Sequence, residues 1–164
     1  MNLETRELMG RARLIDELRE DGVNVAFPTC AGEIDLLAYV DSRIAACTVV
    51  SVPIKIVSFR SDASSSNLDA ARASGLLIAL VWDISNPAHV RTFALTRADI
   101  IVVKMIEIIE RAASARFGEL PDRAITPEAV LRRALEPFAM FPGKWREKIA
   151  TILEAESISS AYKA

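Results

Sequence analysis

Gly32-Glu33-Ile34-Asp35-Leu36-Leu37-Ala38-Tyr39-Val40, followed by Val52-Pro53-Ile54-Lys55-Ile56-Val57, is the pair of runs that decides the fold. Both are rich in Leu, Ile and Val, and Asp41-Ser42-Arg43 reads as a turn after the first, so together they read as a buried hairpin. Strand side chains alternate, which sets Glu33 and Asp35 on one face and Ile34 and Leu36 on the other. On the second run Pro53, Lys55 and Val57 share a face. With the right register Asp35 and Lys55 converge. Pro53 is a tension, because proline has no N–H for a ladder; a bulge or an unpaired position is expected there.

Outward from the hairpin, residues 3–20 read as a helix. Leu8, Ala12, Ile15 and Leu18 recur at helical spacing, Glu7/Arg11 and Arg13/Glu17 form i,i+4 pairs, and Asp21-Gly22 ends the run. Val23 to Phe27 reads as a short strand stopped by Pro28. After the hairpin, 58–67 is polar with Ser64-Ser65-Ser66 at its centre, and 68–74 reads as a short helix. Leu76 to Ile84 is almost continuously apolar, the pattern of a strand buried on both faces. Ser85-Asn86-Pro87 turns the chain into a further strand over 90–95.

Thr96 caps a long helix, with Asp99 in the capping-box position. Its apolar side is read as Ile101, Met105, Ile108, Ile109 and Ala112, and its wet stripe as Lys104, Glu107 and Arg111. Residues 114–125 read as a loop. Thr126-Pro127 opens a helix to about Glu136. A last helix from Pro142-Gly143 carries Trp145, Ile149, Ile152 and Leu153 on one side and Arg146, Glu147 and Lys148 on the other, with a tail after Ser157 that is expected to fray. The order is a mixed α/β layout: an antiparallel meander, then a crossover that allows a parallel strand.

At 164 residues the chain fits a single domain, 1–164, and 51% hydrophobic residues supply a core with a surplus for an oligomer interface. The net charge of -2 does not favour a dedicated DNA-binding domain, which is usually basic. Cys30 and Cys47 make no CxxC pair and read as buried thiols of a reducing, cytoplasmic setting. No signal peptide is expected, and the apolar runs are too short for a membrane span. His89 is the single histidine, which argues against a Ser-His-Asp system and a zinc site. There is no glycine-rich phosphate loop.

A carboxylate and a lysine on adjacent strands suit phosphodiester hydrolysis. Mg²⁺ takes hard oxygen ligands, activates water and neutralises phosphate charge, while a lysine stabilises developing negative charge. Helix, three strands with Asp35 on the second and Lys55 on the third, then helix and strand, resembles the PD-(D/E)XK nuclease superfamily over residues 3–95. The stretches Leu135-Glu136-Pro137-Phe138 and Pro142-Gly143-Lys144-Trp145-Arg146 are similar to an uncharacterised bacterial group assigned to that fold.

The resemblance implies a restriction-endonuclease-like αβββαβ core with a mixed central sheet, extended by C-terminal helices over 96–156. It implies Asp35 as first metal ligand, the Ile54 carbonyl as a second, Lys55 as the catalytic lysine, Mg²⁺ as cofactor and DNA as substrate. The second acid would stand at 53, where this chain has proline. Glu33 is the first choice to supply the missing oxygen; Glu4 or Glu7 on the first helix, or Asp62, are alternatives.

Each of these residues also has a plainer role. Asp35 and Lys55 suit an ion pair kept after catalysis was lost, Glu33 a solvated strand start, and Glu4 and Glu7 charges favoured at a helix N-terminus. Arg132, Arg133, Lys144, Arg146 and Lys148 suit a solvated face. Three functions follow: a degenerate nuclease-like protein with a binding or assembly role, an active Mg²⁺-dependent endonuclease with a migrated acid, and a homodimeric structural protein.

Overall fold

The protein is described by a computed structural model covering residues 2–29, 32–40, 51–59, 77–86, 88–116 and 126–161. The expected helix over 68–74, the serine-rich loop, Asp62, Cys30 and Cys47 lie outside the described residues. What is described is an α/β fold: one five-stranded mixed sheet and four α-helices.

Helix α1 spans Leu3–Glu20. Asn2 caps it by accepting the Thr5 N–H at 2.7 Å. Gly22, at φ 70°, turns the chain out of it in the left-handed region that favours glycine. Its inward residues are Gly10, Leu14 and Leu18, one turn apart. Leu8 and Ala12, read from the sequence as part of the inner stripe, are exposed instead. The inner face is set by close approach at Gly10, where an added Cβ would collide with Ser58 Oγ.

Strands β1 (Asn24–Ala26), β2 (Leu36–Tyr39) and β3 (Val52–Phe59) form an antiparallel meander. Strand β4 (Leu77–Trp82) lies parallel to β3, and β5 (Arg91–Leu95) returns antiparallel to β4. The order in the sheet is β1-β2-β3-β4-β5. Every residue of β4 is buried, as its continuous apolar run predicts. The edge at β5 is partly covered, since Met140 donates its N–H to the Thr92 carbonyl and Ala139 bridges Phe93.

Pro53 sits in regular register opposite Leu37, not in a bulge. Without an N–H it fits only a non-hydrogen-bonded position against β2, with its nitrogen turned toward β4. Among the described residues the parallel ladder to β4 begins one residue later, at Ile54↔Leu77.

Two apolar layers sandwich the sheet. On one face Leu14, Leu18 and Trp145 pack with Leu36, Ile54 and Ala79. On the other, Ile100, Val103 and Leu131 pack with Ile78, Leu80 and Phe93. Each large side chain so buried contributes roughly 1.5–3 kcal/mol. The first layer is built by α1 and α4 (Lys144–Ala161), the second by α2 (Arg97–Arg116) and α3 (Pro127–Leu135). Residues beyond 95 therefore contribute to both layers.

The helix starts follow the sequence signals. Thr96 and Asp99 form the reciprocal capping box of α2, and Thr126 caps α3 ahead of Pro127. Helix α2 continues to Arg116, into what reads as loop, and α4 stays helical to Ala161, past Ser157. Trp82 and Trp145 are core residues.

The inward side of α2 is the reverse of the sequence expectation. Ile100 and Val103 face the core, and Glu107, assigned to the wet stripe, is only 4% exposed. Its carboxylate accepts from Arg111 one turn on. Ile101, Met105, Ile108, Ile109 and Ala112 face outward.

Candidate functional site

The N-terminal half of α1 lies across the end of the sheet where β2 enters and β3 leaves. Between them opens a cleft of about 300 Å³ lined by Glu4, Glu7, Leu8, Arg11, Asp35, Lys55, Ile56 and Ser58. Glu4, Glu7, Leu8 and Arg11 stand at helical i, i+3, i+4 and i+7 spacing, so one side of α1 supplies one wall.

Asp35 and Lys55 converge as the alternation predicts, with Lys55 Nζ 3.2 Å from Asp35 Oδ2. The same Oδ2 accepts the Ile56 N–H at 2.9 Å. Oδ1 accepts from Arg11 Nη2 at 2.9 Å. Asp35, with its side chain 15% exposed, therefore has both oxygens engaged by two cations and a backbone N–H. Arg11 was missed as a partner: the sequence pairs it with Glu7 on its own helix, and no local signal points to a residue 24 positions away.

The other expected residues fare unequally. Glu7 lines the cleft, as does Glu4. Glu33 does not: β2 begins only at Leu36, so Glu33 sits exposed in a bend before the strand, where alternation has no force. Ile54 is buried, and its carbonyl accepts the Asp35 N–H at 2.9 Å. The β2–β3 register would set Asp35 opposite Lys55, so this bond is a one-residue slip at the end of the ladder.

Ser58 was also missed. Its hydroxyl is buried beneath Gly10 and has no hydrogen-bond partner among the described residues. Such a group costs free energy wherever it is kept from water.

A Mg²⁺ centre wants two or more hard oxygen donors with free lone pairs and negative charge around them. The described residues do not fit that need. Asp35 is neutralised by Arg11 and Lys55, position 53 is proline, Glu33 stands away, and Glu4 and Glu7 line the cleft without forming a metal-sized group with Asp35. Among the described residues no group of three or more acidic, His or Cys side chains is placed to hold a metal. A divalent ion at Asp35 would have to displace a guanidinium or an ammonium. Among the same residues no helix is long and apolar enough to cross a membrane.

A second polar cluster lies at the other end of α1. Glu17 Oε1 accepts from Arg13 Nε at 2.7 Å and from Thr92 Oγ1 at 3.0 Å, and Glu17 Oε2 accepts from Trp145 Nε1 at 3.2 Å. Asp21 accepts the N–H groups of Gly143 and Trp145 and so caps α4. These acids tie elements together, and they also line a smaller pocket with Arg13, Glu20, Phe141 and Trp145.

No family model matches the chain, and neither a curated protein nor a solved structure matches it.

Proposed function

We propose that this chain is a restriction-endonuclease-like domain of the PD-(D/E)XK type whose metal centre has been replaced by an ion-pair cluster. It has no nuclease activity and works by binding or assembly. One observation carries the reading: both oxygens of Asp35 are engaged by Arg11, Lys55 and the Ile56 N–H, in a chain with Pro53 at the second acid position. The strand order, with β3 parallel to β4 after an antiparallel meander, supports it. A carboxylate already charge-balanced by two cations stabilises its own fold and has little electrostatic attraction left for a divalent cation.

The test is calorimetric titration of Mg²⁺ and Mn²⁺ into wild type and Asp35→Ala, alone and with duplex DNA, beside a cleavage assay. No metal-dependent heat and no cleavage are expected under any condition. Metal-dependent cleavage lost in Asp35→Ala would overturn the reading.

A second reading has its own observation. Glu4 and Glu7 line the same cleft as Asp35 and Lys55, which favours a first-helix glutamate as the migrated acid of an active Mg²⁺-dependent endonuclease, provided that it moves in beside Asp35 when metal binds. On that reading Glu7→Gln and Lys55→Ala each abolish cleavage while leaving the far-ultraviolet circular dichroism of wild type. Cleavage retained in both variants would remove it.

A further inference from the structure

Helix α2 is apolar on both sides. Its inner side is accounted for by Ile100 and Val103 in the core. On its outer side Ile101, Val102, Met105, Ile108 and Ile109 leave between 42% and 67% of their surface in water, a contiguous stripe that Ala112 extends. A contiguous exposed run of large apolar residues, as distinct from single exposed ones, marks a surface that a partner covers.

We infer that this stripe is the interface of a homodimer, formed by two copies of α2 packed antiparallel about a two-fold axis. Three features point to a second copy. The first is spacing: Ile101, Met105, Ile108 and Ala112 recur at intervals of four, three and four residues, the seam of two packed helices. This seam is self-complementary when reversed, setting Met105 against the partner copy's Ile108 and Ile101 against its Ala112, as an isologous contact requires.

The second is area. The five large residues expose on the order of 500 Å² per protomer, so two copies bury roughly 1,000 Å², about the lower bound for a specific interface. The third is charge. The cations beside the stripe are engaged within their own chain, Arg111 with Glu107 and Lys104 with a partner of its own. A neutral apolar surface suits an identical neutral apolar surface better than a phosphate-bearing lipid or nucleic acid. This inference gives the assembly role proposed above a place in the fold. It does not depend on the state of the Asp35 cleft.

Sedimentation equilibrium of wild type, Ile108→Glu and Met105→Lys tests it. Wild type is expected to be dimeric at tens of micromolar, and each variant at least tenfold weaker in self-association with an unchanged circular dichroism spectrum. Mixing Ile108→Glu with Met105→Lys should restore a dimer, because antiparallel packing sets the new charges against each other. Asp35→Ala should sediment as wild type, which separates this test from that of the cleft. Monomeric wild type at high concentration would overturn the inference, whether the stripe is then covered by residues 60–76 of the same chain or by a vesicle surface. A dimer that survives Ile108→Glu would overturn it as well, by placing the interface elsewhere.

Discussion

The two ends of α1 hold carboxylates in two settings. At the C-terminal end Glu17 and Asp21 bind Thr92, Trp145 and the start of α4, and their task is to join elements. At the N-terminal end Asp35 faces an open cleft with Glu4, Glu7 and Lys55, the setting of a reactive group. Yet Asp35 is bonded in the same manner as Asp21, with every oxygen given to a donor of the fold. A metal-binding acid ordinarily meets its cation without two cationic side chains of the fold already beside it. The likeness between the two ends argues that Asp35 holds β2, β3 and α1 together.

The comparison can be broken at either end. The largest effect is expected at the joint: Trp145→Ala removes the largest fully buried side chain and the Glu17 contact, and should cost about 3–5 kcal/mol in urea unfolding. Next comes the close approach at the cleft floor. Gly10→Ala drives a Cβ into Ser58 Oγ and should cost about 1–3 kcal/mol, most of it recovered in Gly10→Ala/Ser58→Ala. Ser58→Ala alone should stabilise slightly, because it removes a buried hydroxyl with no partner among the described residues.

Asp35 itself decides the matter. If it acts as Asp21 does, Asp35→Ala should lose about 1–2 kcal/mol, a modest value because Arg11 and Lys55 are partly exposed. Asp35→Asn should lose less, since an amide oxygen still accepts the Ile56 N–H. A stabilised Asp35→Ala would instead mark a strained functional acid and break the comparison.

The smallest effect is a pH dependence at a third carboxylate. Burial alone would raise the Asp99 pKa, but the Thr96 N–H, the Lys148 ammonium and the Thr96 side chain outweigh it and hold it below its ordinary value. A carboxyl with a lowered folded pKa adds stability that is complete above about pH 4 and lost as pH falls through the folded value. The acid limb of the stability curve should therefore be shallower in Lys148→Met than in wild type, as measured by urea unfolding from pH 2 to pH 7.

Local signals carried much of this fold. Capping residues Thr96 and Thr126, the apolar run of β4 and the alternation that joins Asp35 to Lys55 all act within a few residues, and a sequence displays them directly. The orientation of α2 was not legible. With apolar residues on both sides, periodicity cannot tell which side the sheet will take, and Glu107 marks the wrong side because Arg111 compensates its burial. Arg11 and Ser58 were hidden for another reason, since their places in the cleft depend on tertiary approach. Glu33 was misplaced by a strand that starts three residues later than its composition suggests.

The bonds from Asp21 to Gly143 and Trp145 have a kinetic consequence. They link positions 122 and 124 apart, so forming them closes a loop of most of the chain and carries its entropy cost. Loop-closure entropy is paid before so distant a contact rewards it, which favours forming these bonds late in folding. Asp21→Ala should then leave the refolding rate nearly unchanged and speed unfolding. The joint would act as a late-closing clasp, setting how long the folded molecule lasts more than how fast it forms.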